Sequence, residues 1–444
     1  MAALSSTGTT LEITLSVATV DSCLDLIQEA AAHQHVMNAV VTLEGVDNRD
    51  GNGAFLGDDQ ILRCFSAMAT HLTPQLEHLR LEWNMVAANF FELPPVLSVH
   101  ALVFIVQHFT SVKSLSLYRV KLAGNPASYD ELTAAVRQNT TLNTIRVEFC
   151  APLGSPNLDA VVNSWSQLTE LRELEVIGFQ GDPARGCTST SLRNLGQPPH
   201  IRTLKLWGGI LQSEDPQAIS NLARGLEQTK SITDLEIGLF QLDLPSAQAL
   251  AKLLNTNTSL DRIWLDVNNS LEPKLIEPLS QAMKQNTTIK SFNLVSTTNH
   301  EVSDDVLELF VEMAKTNCTL RHCTIRGCST FVLGGGGPQG PPVVSPSLAV
   351  LRDALKFYLK LNRVGRKQLL ANSRSRHRWL SALICEANQT SVIYYLLQRN
   401  PSFISQCVRL GPTKRKHVLV ATDAASSMDV PQRKRPKRCR LVTP

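Results

Sequence analysis

A short apolar pattern returns along this 444-residue chain at nearly even intervals, the signature of a fold built from repeated units. In NTSLDRIWL (257–265) an apolar residue at position i is followed by apolar residues at i+3 and i+5. The same rung occurs in QNTTLNTIRV, QNTTIKSFNL and TNCTLRHCTI. Position i falls on Val36, Leu76, Val112, Leu142, Leu171, Ile201, Ile232, Leu260, Ile289 and Leu320, and from Val112 onward the steps are 28 to 31 residues. Between rungs lie segments with helical periodicity, such as SAQALAKLLNTN (246–257) and LIEPLSQAMKQN (275–286). Each unit therefore reads strand, loop, helix, turn, and stacking buries one continuous apolar spine.

The rung L-x-x-L-x-L and its period resemble the ribonuclease-inhibitor-like class of leucine-rich repeats. The resemblance covers residues 36–332, about ten rungs, and implies an α/β solenoid: a curved horseshoe with parallel strands on the concave face and helices on the convex face. The family prefers Asn, Cys or Thr at i+8. Asn84, Cys150, Asn268, Thr297 and Cys328 comply, whereas Glu44, Val120, Phe179, Gly209 and Phe240 do not.

Outside the rungs, residues 1–35 hold LEITLSV and CLDLIQEAA and read as an N-terminal cap. The long second step contains FELPPVLSVHALVFI, which faintly resembles the opening of an F-box but is needed as a repeat helix. GGGGPQGPPVVSP marks a linker at 333–346. A basic, all-α block is expected over 347–408 and a disordered basic tail over 409–444.

The net charge of +4 conceals a division. Residues 347–444 carry 20 Lys and Arg against 4 Asp and Glu, while 1–346 carry 23 against 35. Such asymmetry concerns partners. In the tail, Lys414, Arg415 and Lys416 precede a denser cluster of Arg433, Lys434, Arg435, Lys437 and Arg438, and the pair resembles a nuclear import signal read by importin-α. The expected location is the nucleus, with or without shuttling to the cytoplasm. Nonspecific nucleic-acid binding through 347–444 is the alternative use of the same charge.

No secretory leader or membrane-spanning run is expected. The ten cysteines lack C-x-x-C pairs, so structural thiols are expected and no metal. Sequons at Asn139, Asn257, Asn286 and Asn317 all fall on helix-to-strand turns and read as turn chemistry. Phosphate-loop, dinucleotide, zinc-protease and nucleophile-elbow motifs are missing, so neither an enzyme nor a cofactor is expected. A weaker resemblance to Ran GTPase activators, which are also leucine-rich-repeat proteins, brings no catalytic arginine that can be placed here.

The expected function is that of a scaffold or adaptor. In each rung i+2, i+4 and i+6 face away from the core. Read across rungs, these positions bring together Glu173, Glu175, Lys205, Trp207, Asp234, Glu236, Arg262, Trp264 and Asp266, an acidic patch with two exposed aromatics that suits a basic or mixed protein segment.

Overall fold

In the computed structural model the described residues are 2–4, 9–15, 19–32, 36–43, 58–83, 96–148, 155–179, 188–195, 199–208, 211, 217–298, 302–327, 346–363, 366 and 398. The chain divides into two units, Met1–Arg363 and Val364–Pro444. Of the second only Arg366 and Gln398 are described, so the basic block beyond 366 and both import-signal clusters lie outside the described residues.

The strands are β1 (Ala2–Leu4), β2 (Thr10–Leu15), β3 (Asn38–Leu43), β4 (His78–Trp83), β5 (Val96–Ser98), β6 (Ser114–Tyr118), β7 (Lys121–Ala123), β8 (Thr144–Glu148), β9 (Glu173–Phe179), β10 (Thr203–Gly208), β11 (Asp234–Phe240), β12 (Arg262–Val267), β13 (Ser291–Ser296) and β14 (His322–Gly327). The helices are α1 (Val20–Ala32), α2 (Asp58–Leu72), α3 (Val99–His108), α4 (Pro126–Gln138), α5 (Ser155–Trp165), α6 (Ser189–Asn194), α7 (Ala218–Glu227), α8 (Leu244–Thr256), α9 (Pro273–Gln285), α10 (Asp304–Thr316) and α11 (Pro346–Arg363). Twelve strands form one sheet in the order β1-β2-β3-β4-β6-β8-β9-β10-β11-β12-β13-β14, and only the β1–β2 pair is antiparallel. β5 and β7 make a separate parallel pair. Strand and helix alternate in sequence and each helix packs on the next, an arrangement consistent with a leucine-rich-repeat solenoid.

The periodicity explains this register. All ten residues at position i are buried, and so is i+5 in every rung, from Val41 to Ile325. Strand pairing keeps the positions aligned: Thr203 faces Asp234, which faces Arg262, then Ser291, then His322. The segment expected to be only a cap contains a further rung, since β2 pairs in parallel with β3 and buries Leu11, Ile13 and Leu15.

Asparagine ties one repeat to the next. Asn257 Nδ2 donates to the carbonyls of Leu226 (3.0 Å) and Thr229 (2.9 Å), while its Oδ1 accepts from the amides of Ser259 and Leu260 (both 2.9 Å). Asn139, Asn286 and Asn317 repeat the arrangement. All four sequon asparagines are buried, which leaves no room for a glycan. Their side chains satisfy backbone groups that an α-helix leaves unpaired where it ends.

The irregular rungs have a backbone cause. The residue at i+7 is left-handed in three of them: Arg119 (φ 57°), Gly208 (φ 83°) and Leu239 (φ 61°). The twist turns an apolar i+8 residue inward, and both Val120 and Phe240 are fully buried. The pairing of β11 with β12 shifts register at that point, between Gly238 and Phe240.

Composition placed a domain boundary at the 333–346 linker, yet α11 beyond it packs on α10 and buries Leu348, Leu355 and Leu359. The repeat unit therefore extends to Arg363. Asn362 continues the asparagine series, donating to the carbonyls of Asn317 (2.9 Å) and Leu320 (2.8 Å). Elsewhere the carbonyl of an i+1 residue accepts amides from the following rung, as Lys290 does from Arg321 and His322. Arg321 immediately precedes β14, the last strand in the sheet order, and Arg363 Nε donates to its carbonyl instead, at 2.9 Å.

Candidate functional site

The sheet face turned away from the helices carries the i+2, i+4 and i+6 side chains. All nine residues expected at the site sit on four neighbouring strands: Glu173 and Glu175 on β9, Lys205 and Trp207 on β10, Asp234 and Glu236 on β11, and Arg262, Trp264 and Asp266 on β12. One row runs Glu175–Lys205–Glu236–Trp264 and the next includes Trp207–Gly238–Asp266.

The acidic patch is largely neutralised from within. Glu175, almost fully buried, is paired with Lys205 and with Arg146 Nε at 3.4 Å. Glu173 accepts from Arg146 Nη2 at 3.2 Å, and Asp234 is paired with Arg262. Partial burial works against the charge on Lys205, but Glu175, Glu236 and Glu173 outweigh it and hold its pKa above the ordinary lysine value. Arg146, from a rung outside the expected set, belongs to this network. Cross-strand register could have revealed it, because Arg146 faces Glu175.

Two carboxylates behave differently. Burial holds Glu236 above the usual carboxylate range, and Lys205 and the Trp207 indole offset this only in part. That indole N–H is near enough to favour the ionised form but does not reach hydrogen-bonding geometry. Asp266 is only 7% exposed, and burial pushes its pKa up to about 6, with Arg326 pulling it down and Glu236 adding to the rise. Asp266 Oδ1 has no hydrogen-bond partner, nor have the Nε1 atoms of Trp207 and Trp264. An unpaired buried polar group costs about 1–3 kcal/mol, so three such atoms on the two strands that flank β11 are conspicuous.

Trp207 owes its position to a glycine. Its indole lies over Gly238, where a Cβ would come within 2.4 Å of Cδ2. The missing side chain is what lets the ring lie over β11.

One other cluster has the composition of a catalytic relay. His100 Nε2 lies 3.3 Å from Ser128 Oγ, and its Nδ1 lies 3.3 Å from Glu131 Oε2. The serine, however, is 2% exposed and its hydroxyl donates to Asn125 Oδ1 at 3.0 Å, the same oxygen that caps the Ser128 amide. A nucleophile needs an accessible oxygen freed by its base; here the hydroxyl serves the start of α4. Among the described residues no group of His, Cys, Asp and Glu could hold a metal ion, and no helix is long and apolar enough to cross a membrane.

No family model matches the sequence, and no curated protein does. Among solved structures, the leucine-rich-repeat protein LegL7 from Legionella pneumophila is 15% identical over 78% of this chain and 97% of its own, with a TM-score of 0.40. The actin-binding site 2 of leiomodin-1 is 18% identical over 40% of this chain and 90% of its own, with a TM-score of 0.30. The fold assignment rests on the register and burial described above.

Proposed function

We propose that the protein is a non-enzymatic scaffold of the ribonuclease-inhibitor-like type that docks a protein partner on the open sheet face between β9 and β12. The observation that carries this reading is the set of unpaired buried atoms on Trp207, Trp264 and Asp266, where two indoles and two carboxylates share neighbouring rows of the face. Aromatic anchors in desolvated surroundings are where binding energy concentrates in protein interfaces. The test compares proteins recovered with the wild-type chain and with a Glu236→Gln/Trp264→Ala double variant whose fold is verified by circular dichroism. Loss of a discrete set of partners is expected; an unchanged set would refute docking at this face.

The basic end adds a second proposal, that Lys414–Lys416 and Arg433–Arg438 direct nuclear import through importin-α. Its support is the charge division within the sequence. Alanine replacement of Lys434, Arg435 and Lys437 in a fluorescent fusion should move the protein to the cytoplasm; unaltered nuclear signal would dismiss the idea. Nucleic-acid binding through 347–444 is the competing use, and it predicts affinity that falls steeply with salt in a filter-binding titration.

A further inference from the structure

The unpaired atoms also say what kind of group the partner presents. Every cation on β10 and β12 within the site is already engaged, Lys205 by Glu175 and Arg262 by Asp234. Asp266 keeps one carboxylate oxygen without a partner although its side chain is more than nine-tenths buried, and Glu236 sits one strand away in the adjoining row. The other unpaired atoms, the two indole N–H groups, are donors only. One buried acceptor bearing charge and two neutral donors form the complement of a basic residue in an extended peptide: its cation meets the carboxylates and its backbone carbonyl meets an indole N–H. The indoles add cation–π attraction, which grows where water is excluded.

We propose that the surface formed by Trp207, Gly238, Glu236, Trp264 and Asp266 receives a single arginine or lysine side chain from an extended segment of the partner protein. This deepens the docking proposal and depends on it. Trp207 lies over Gly238, where no side chain competes for the space.

The test uses the full chain and its tryptophan fluorescence. It is titrated with the peptide Gly-Arg-Gly-Arg-Gly, with its lysine counterpart, and with a citrulline counterpart that keeps the shape of arginine but not its charge. Wild type should bind the arginine or lysine peptide at least about tenfold more tightly than the citrulline peptide, a margin on the order of one charge-assisted hydrogen bond. Asp266→Asn should abolish the preference, and Glu148→Gln, on the same face four strands away in the rung of β8, should leave it intact. Should Asp266→Asn fold poorly, the carboxyl carbon shift of Asp266 in the wild type gives the same answer, because a bound cation must lower its pKa. Equal affinity for arginine and citrulline peptides, or a preference that survives Asp266→Asn, overturns the inference. If the peptides fail while partner recovery still depends on Glu236 and Trp264, the cation proposal falls and the docking face stands.

Discussion

A Cβ added to Gly238 would lie 2.4 Å from Cδ2 of Trp207, so the identity of one residue fixes where the other's ring can rest. A contact that short cannot exist, and the ring atoms that obstruct it belong to a rigid indole rather than to the end of a flexible chain. Gly238→Ala should therefore destabilise the protein by about 1–3 kcal/mol, the usual range for overpacking. It should also lift the indole and bring the pKa of Asp266 back toward 3.8, its ordinary value. Thermal melts and carboxyl chemical-shift titration check the two effects separately.

Asp266 itself opposes folding at neutral pH. With a pKa of about 6 folded and 3.8 unfolded, the folded state binds the proton more tightly. Stability therefore falls as pH rises from about 4 to about 6 and stays lowered above that. Glu236 and Arg326 are the charged groups that act on it, in opposite directions. A shift of about two units corresponds to roughly 3 kcal/mol. Asp266→Asn should gain up to about that much at pH 7.5 and nothing at pH 3.5, as read from urea midpoints at the two pH values.

The asparagine series should dominate stability. Asn286→Asp keeps the acceptor that holds the amides of Thr288 and Ile289 but sets a carboxylate against the Leu254 carbonyl, which its Nδ2 now meets at 2.6 Å. Losing a buried donor and gaining an unpaired buried charge should cost about 3–5 kcal/mol. Asn286→Gln cannot restore the geometry, so thermal denaturation of both variants should show large losses, whereas Gln285→Ala, exposed one residue earlier, should show almost none.

At the far end of the sheet, Asn362 and Arg363 close the last rung. Asn362→Ala removes two buried hydrogen bonds and should speed amide exchange in β14 by about tenfold or more while leaving β10 unchanged, since solenoid stability passes from neighbour to neighbour.

Much of this was legible in the sequence because stacking forces periodicity. Every rung predicted from apolar residues at i, i+3 and i+5 is a strand at that register, and the cross-strand neighbours of Glu175, Glu236 and Trp264 follow from counting. The extra rung at β2 escaped because counting back from Thr10 places its position i on Gly8, which is not apolar. Left-handed backbone at Arg119 and Leu239 left no trace, because those residue types disfavour it. The burial of Asp266 was equally hidden, because its position i+6 faces away from the core and its neighbours across the sheet decide how much water reaches it. Nor could composition show that α11, beyond a Gly- and Pro-rich stretch, returns to pack on α10.

The most direct test of the docking face places a photo-crosslinking amino acid at Asn293, on the open sheet face beside Trp264, and in a second variant at Gln281, exposed on α9. Irradiated in cells, position 293 should give discrete protein adducts that disappear with Glu236→Gln/Trp264→Ala, and position 281 should give none of them. Adducts from 281 alone, or adducts from 293 that ignore those substitutions, would contradict the account.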